Sequence, residues 1–246
     1  MTGGINMYIA YGGYYYSMFD WTYILVLIGI VITLAASAKV KMAFNKYNKV
    51  RNMSGMTGAQ AARRILDQAG LYNVSVESVS GQLTDHYDPK SKVLRLSEST
   101  YGSDSVAAVG VAAHECGHAV QDLEEYGPLK LRSTLVPAAN IGSKLGIPLI
   151  ILGVILSYNS VLIQVGIWVF SVAVFFQLVT LPVEFDASKR ALIALPNSGI
   201  LGEQEMKGCK KVLSAAAMTY VAAAAASALQ LLRLILLFGG RGSRRD

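Results

Sequence analysis

The stretch His114-Glu115-Cys116-Gly117-His118 sets two imidazoles four residues apart, with a carboxylate directly after the first. The chain has three histidines in all, and this stretch takes two of them. On a helix, side chains four apart leave from one face, about a turn apart. His114 and His118 can therefore offer two nitrogens to one tetrahedral zinc ion. Glu115 projects beside them and can move protons without binding the metal. Zinc lowers the pKa of its bound water to about 7, so hydroxide is available at neutral pH. The chemistry predicted is hydrolysis of a peptide bond, with Glu115 as general base.

A catalytic zinc site needs a third protein ligand and an open fourth position. Candidates are His86, Asp122, Glu124, Glu125, Glu184, Asp186, Glu203 and Glu205. Asp122 lies one further turn along the helix of the histidines, so a straight helix points it past the metal. Glu184 is favoured: it follows an apolar hairpin that leaves and re-enters the same side of a membrane, and a lone carboxylate at that boundary suggests a purpose.

The elements that must position these residues are largely apolar. The chain is 53% hydrophobic and 15% charged, against about 25% charged in soluble proteins. Residues 1–20 form a Gly- and Tyr-rich tail without Lys or Arg, lying at a lipid interface or unstructured. Residues 21–38 carry no charge and are long enough for a first transmembrane helix. Lys39, Lys41, Lys46, Lys49 and Arg51 follow and mark that end as cytoplasmic.

Residues 39–136 form the predicted cytoplasmic catalytic region. Thr57 is the expected N-cap of a helix that Gly70 ends. A short strand runs through Val74, Val76 and Val79. Leu83–Tyr87 and Lys92–Leu96 are expected to pair as a hairpin around Asp88-Pro89-Lys90-Ser91. A helix from Ser103 carries the histidines. The small-residue run before His114 supplies a packing face. Gly117 costs helix stability of about 1 kcal/mol, which suggests that it relieves crowding near the metal.

Residues 137–182 read as a transmembrane hairpin turning at Tyr158-Asn159-Ser160. Residues 183–211, again basic, return to the cytoplasm with the third ligand. Residues 212–238 read as the fourth transmembrane helix, its alanine run packed against another helix, and 239–246 as a tail. The fold class expected is mainly α, integral to the membrane, with about four transmembrane helices and a small cytoplasmic α+β zincin-like subdomain.

The net charge of +6 lies near membrane boundaries. It reads as a topology signal rather than a nucleic-acid site. Cys116 and Cys209 offer no disulfide framework, and Cys116 reads as a buried thiol.

The string His-Glu-Cys-Gly-His, followed by a transmembrane hairpin and Leu181-Pro-Val-Glu-Phe-Asp-Ala-Ser-Lys-Arg-Ala-Leu192, resembles the YugP-type bacterial membrane zinc metallopeptidases. Thr57–Leu66, Leu83–Glu98 and Val212–Ala224 are similar to that family as well, so the resemblance covers roughly residues 39–240. More distantly the chain resembles the HtpX-type membrane proteases. The resemblance implies one catalytic zinc held by His114, His118 and Glu184, with Glu115 as base. It also implies a protein or peptide substrate at a multi-pass bacterial plasma membrane. The acid of the HtpX-type pattern falls on Ser188, and Asp186 is the expected replacement beside a zinc histidine.

Lys92–Ser97 is a candidate sheet edge for an added substrate strand. His86 and Tyr87 read first as hydrogen-bonded turn residues and second as contacts to substrate or oxyanion. Arg63 and Arg64 read as facing solvent or headgroups. Arg233 reads as snorkelling or paired within the bundle. The competing readings are an intramembrane protease of the site-2 type and a non-catalytic scaffold with a structural zinc. The charged flanks Asp104 and Asp122–Glu125 leave the histidine helix too little apolar length to span.

Overall fold

The computed structural model describes residues 8–11, 14–17 and 20–239. The backbones of β1 (Tyr8–Tyr11) and β2 (Tyr14–Ser17) pair antiparallel. The basic tail beyond 239 lies outside the described residues.

Among the described residues, four helices are long and apolar enough to cross a membrane: α1 (Tyr23–Tyr47), α5 (Gly127–Ile155), α6 (Ser160–Asn197) and α7 (Glu203–Phe238). Apolar side chains such as Ile24, Leu27, Val31 and Leu34 of α1 face outward. A helix apolar all round, with its backbone bonds satisfied internally, suits lipid. The chain is therefore mainly α and membrane-like, as expected. The helices outrun the predicted spans. α1 continues through Lys39, Lys41 and Lys46, and α6 runs unbroken past Pro182 to Asn197. Glu184 thus sits inside a continuous helix.

α5 and α6 form the predicted hairpin. Ser157 and Tyr158 take positive φ at its turn, and the Asn159 side chain accepts from the Leu162 amide. Small residues let the two helices touch: a Cβ on Gly146 would lie 2.8 Å from the Cβ of Phe170. α1 and α7 approach in the same way, with Gly29 against Ala226 of the alanine run.

Between α1 and α5 the chain builds a polar-faced unit. α2 (Gly58–Gln68) opens with the predicted cap: Thr57 accepts from the Gln60 amide while the Gln60 side chain accepts from the Thr57 amide. Gly70 ends it with φ +75. A three-stranded sheet follows in the order β3 (Ser75–Val79), β5 (Val93–Ser97), β4 (His86–Asp88). β4 and β5 are the predicted hairpin, with Tyr87 opposite Leu94, and β3 pairs parallel to β5. β5 is therefore central and not the expected edge. Its Val93, Leu94 and Leu96 are buried, which is why it takes the middle place. The edges are β3 and β4.

After the single turn α3 (Glu98–Tyr101), α4 (Val106–Leu123) carries the histidines, and Ser105 caps it by accepting from the Ala108 amide. α4 is not among the four candidate spans. It packs in one core with Leu66, Leu94 and Leu96 and with Leu195 of α6. Full burial of each such leucine contributes about 1.5–3 kcal/mol. α4 is thereby clamped between the sheet unit, the C-terminal end of α6 and the N-terminal half of α7.

Candidate metal centre

α4 presents His114 and His118 on one face, their rings 4.8 Å apart and nearly perpendicular. α6 crosses α4 at Gly117, where a Cβ would stand 2.6 Å from the Ala187 carbonyl oxygen. Gly117 is thus needed for the helix crossing and not for room around a metal. The close crossing brings α6 residue Glu184 over the histidines. Nε2 of His114 is 3.2 Å, and Nε2 of His118 3.7 Å, from Glu184 Oε2.

One nitrogen from each imidazole and one Glu184 oxygen lie within 4.8 Å of one another. A tetrahedral ion with arms of 2.0–2.1 Å needs donors about 3.3 Å apart. The set is neutral imidazole, neutral imidazole and carboxylate, which suits zinc with one position left open. Glu184 is 2% exposed. Its second oxygen, Oε1, is buried without a hydrogen-bond partner, although the Arg132 guanidinium of α5 lies 3.5 Å away. The Tyr220 hydroxyl of α7 faces the same carboxylate. The residues present therefore fit a zinc ion.

The far ring nitrogens are held by other groups. Gln121 is fully buried, and its amide nitrogen donates to the Val183 carbonyl and to Asp186 Oδ2, both at 2.9 Å. Its oxygen is left to accept from Nδ1 of His118 at 3.0 Å. That fixes the His118 tautomer and turns the Nε2 lone pair toward Glu184. Asp186 in turn pairs with Arg190, which reaches Glu124. Asp186 thus acts on His118 only through Gln121. At Nδ1 of His114 the partner is the Ser188 hydroxyl, at 3.1 Å, and not an acid.

Burial, the largest single influence, pushes the His118 imidazole toward its neutral form, but the hydrogen bond to Glu184, the Glu115 and Glu184 charges and the bond to Gln121 together outweigh it and raise its pKa. The same negative field that holds a proton there attracts a divalent cation.

Glu115 is buried and lines a cavity of about 240 Å³ together with His114 and residues of α1 and α7. The remaining candidates lie elsewhere. Asp122 accepts from the Tyr87 hydroxyl and pairs with Lys92, as its position one turn on predicted. Burial and this bond hold the Tyr87 pKa above its ordinary value. Nδ1 of the exposed His86 meets the Thr84 carbonyl. Glu125 pairs with Lys130, and Glu205 accepts from the Gly202 and Met53 amides. Glu203 sits in the first turn of α7. Arg63, expected at the surface, is half-buried: it pairs with Asp67 one turn on in α2 and donates to the Leu71 and Val74 carbonyls beyond the helix.

Sequence reasoning missed Gln121, Arg132 and Tyr220. Only Gln121 left a signal, as an amide three residues after His118 on the face of the ligands.

Residues 22–239 match the family model described as "Putative neutral zinc metallopeptidase". The chain is 53% identical to "Putative membrane protease YugP" of Bacillus subtilis (strain 168) over 203 residues, 82% of this chain and 90% of that protein. No solved structure matches.

Proposed function

From the premise that the chain belongs to this neutral zinc metallopeptidase family of the YugP type, we propose that it is a membrane-embedded zinc endopeptidase. Its substrates are membrane or membrane-proximal proteins. The observation that carries the reading is the convergence of His114, His118 and Glu184 on one buried point beside Glu115.

His114, His118 and Glu184 hold the zinc, with Gln121 and Ser188 orienting the two imidazoles. Bound zinc supplies Lewis acidity to the scissile carbonyl and to the attacking water. Glu115 takes the proton of that water and hands it to the leaving nitrogen. Tyr220, lining the same cavity, donates to the oxygen on which negative charge develops. Arg132 neutralises Glu184 from its outer side.

The spans are near 21–38, 137–182 and 212–238. Lys39, Lys41 and Lys46 of α1 and Lys207, Lys210 and Lys211 of α7 mark the same end of the bundle, the end at which the histidines lie. By the excess of Lys and Arg on the inner side, that end is cytoplasmic in a bacterial plasma membrane. The histidines ride on α4, which is not a candidate span, and this favours a surface protease over an intramembrane one. A scaffold with structural zinc has no use for Glu115.

The test is Glu115→Gln beside wild type, with zinc and proteolysis measured on the detergent-purified protein. The variant is expected to keep its zinc and lose about 10³-fold or more in turnover. His114→Ala and Glu184→Ala are expected to lose zinc. Full turnover in Glu115→Gln would falsify the assignment of the base, and full zinc affinity in Glu184→Ala that of the third ligand.

A further inference from the structure

We infer that the cavity beside His114 and Glu115 is a subsite for one large apolar side chain flanking the cleaved bond, in a substrate segment lying at the bilayer surface; this rests on the peptidase reading above. The cavity measures about 240 Å³. Pockets that enclose a whole small-molecule ligand run to about 300–1,000 Å³, so this one suits a single side chain.

Its apolar wall opposite His114 and Glu115 comes largely from two spanning helices: Val40 and Phe44 of α1, Val212 and Ala216 of α7. Away from His114, Glu115 and Tyr220, the polar groups at its rim already have partners. Both oxygens of Asp85 accept from Ser97, and the Thr219 hydroxyl donates to the Ala216 carbonyl. An acidic side chain entering here faces the Asp85 and Glu115 carboxylates, and an amide gives up water against walls that are largely apolar.

The cavity also has a definite depth. Lys39 and Lys46 flank Val40 and Phe44 on α1, and Lys211 adjoins Val212 on α7. These lysines belong at the membrane–water boundary. The subsite therefore opens where the two spans leave the apolar phase. A segment emerging there presents an apolar residue to the cavity and its next peptide bond to Glu115.

The experiment is digestion of β-casein, a flexible protein, by wild type, Ala216→Phe and Val40→Ala in detergent, with cut sites mapped by mass spectrometry and zinc measured in parallel. Wild type is expected to cut beside Leu, Met and Phe. Ala216→Phe narrows the subsite and should lose about tenfold or more at those sites relative to Ala and Ser. Val40→Ala widens it and should shift the preference toward Phe and Trp. If Ala216→Phe does not fold, Val40→Ala carries the test. Cutting without apolar preference, or zinc-loaded active variants with the wild-type preference, overturns the subsite alone. No cutting by zinc-loaded wild type overturns the peptidase reading with it.

Discussion

Nδ1 of His118 lies 3.0 Å from the side-chain oxygen of Gln121, and that oxygen has no freedom to turn away. The amide nitrogen is spoken for by the Val183 carbonyl and Asp186. A flipped amide would set two acceptors against each other on that side. The ring is therefore held as the Nδ1–H tautomer by a neutral group, where a carboxylate more often stands.

Gln121→Leu tests this. The leucine fills similar space but accepts nothing; it takes the donor from the Val183 carbonyl and leaves Asp186 with Arg190 alone. Zinc affinity should fall roughly 10–100-fold, the usual consequence of removing such a partner. Competition with a chromophoric chelator measures it. Ser188→Ala should cost less, because Ser188 is only partly buried and water can take its place at His114. Equal losses in the two variants would refute the ordering.

Gly117 leads to a second prediction. The Cβ of Gly117→Ala would stand 2.6 Å from a backbone oxygen and 3.0 Å from a backbone carbon of Ala187. Backbone cannot step aside as a side-chain tip can. α6 must move off α4, taking Glu184 away from the histidines. A stability loss of about 1–3 kcal/mol is expected despite the better helix propensity of alanine, together with weaker zinc binding. Gly127→Ala, with nothing within 4 Å of its Cβ, should change neither. Thermal unfolding and chelator competition on the two variants decide the matter.

The contrast between Gly117 and the histidines shows what the sequence made legible. Two histidines four apart, a carboxylate between them and another after a hairpin are patterns of type and spacing. They pointed to the residues that the structure brings together. The reason for Gly117 depends on which helix crosses at that point, and no local pattern carries that. Gln121 reaches a carbonyl 62 residues away, and Tyr220 arrives from an apolar helix a hundred residues after the motif. The order of the short strands was misjudged for a related reason. β5 and β4 both look like half-buried strands. Only the parallel partner β3 on the far side of β5 makes it central.

The two thiols should be inert. Cys116 is buried, and burial, together with the Glu115 charge, pushes its pKa far above the ordinary value. Its Sγ–H points to the Ala62 carbonyl at 3.6 Å. Cys209 is also buried and fills the hollow over Gly110. Only thiolate reacts appreciably with maleimides. Folded protein at pH 7 should take up almost no N-ethylmaleimide over an hour, and both thiols should label once it is unfolded in dodecyl sulfate. Prompt labelling of Cys116 in folded protein would mean that α4 opens locally, and of Cys209 that α7 does.

The last prediction concerns the other end of the bundle. Arg233, near the end of α7, lies 3.6 Å from Asp20 and stacks 4.0 Å over the ring of Tyr23 at the start of α1. Its side chain is 13% exposed, and its Nε has no hydrogen-bond partner. A guanidinium in this position has lost most of its water, so the Asp20 charge is what makes it tolerable. Asp20→Asn keeps the shape and removes that charge. It leaves the cation poorly compensated and should cost about 1–3 kcal/mol, moderated by the partial exposure of Asp20 and by the Tyr23 ring. Arg233→Met removes the cation and keeps an apolar stem against Tyr23, so it should cost less. With both replaced, the loss should not exceed that of Arg233→Met alone, because no unpaired charge remains. At about 2–4 °C per kcal/mol for a chain of this size, the three variants are separable by thermal unfolding in detergent. The ordering Asp20→Asn worse than Arg233→Met is the informative result. The reverse ordering would mean that stacking on Tyr23, rather than the ion pair, ties α7 to α1.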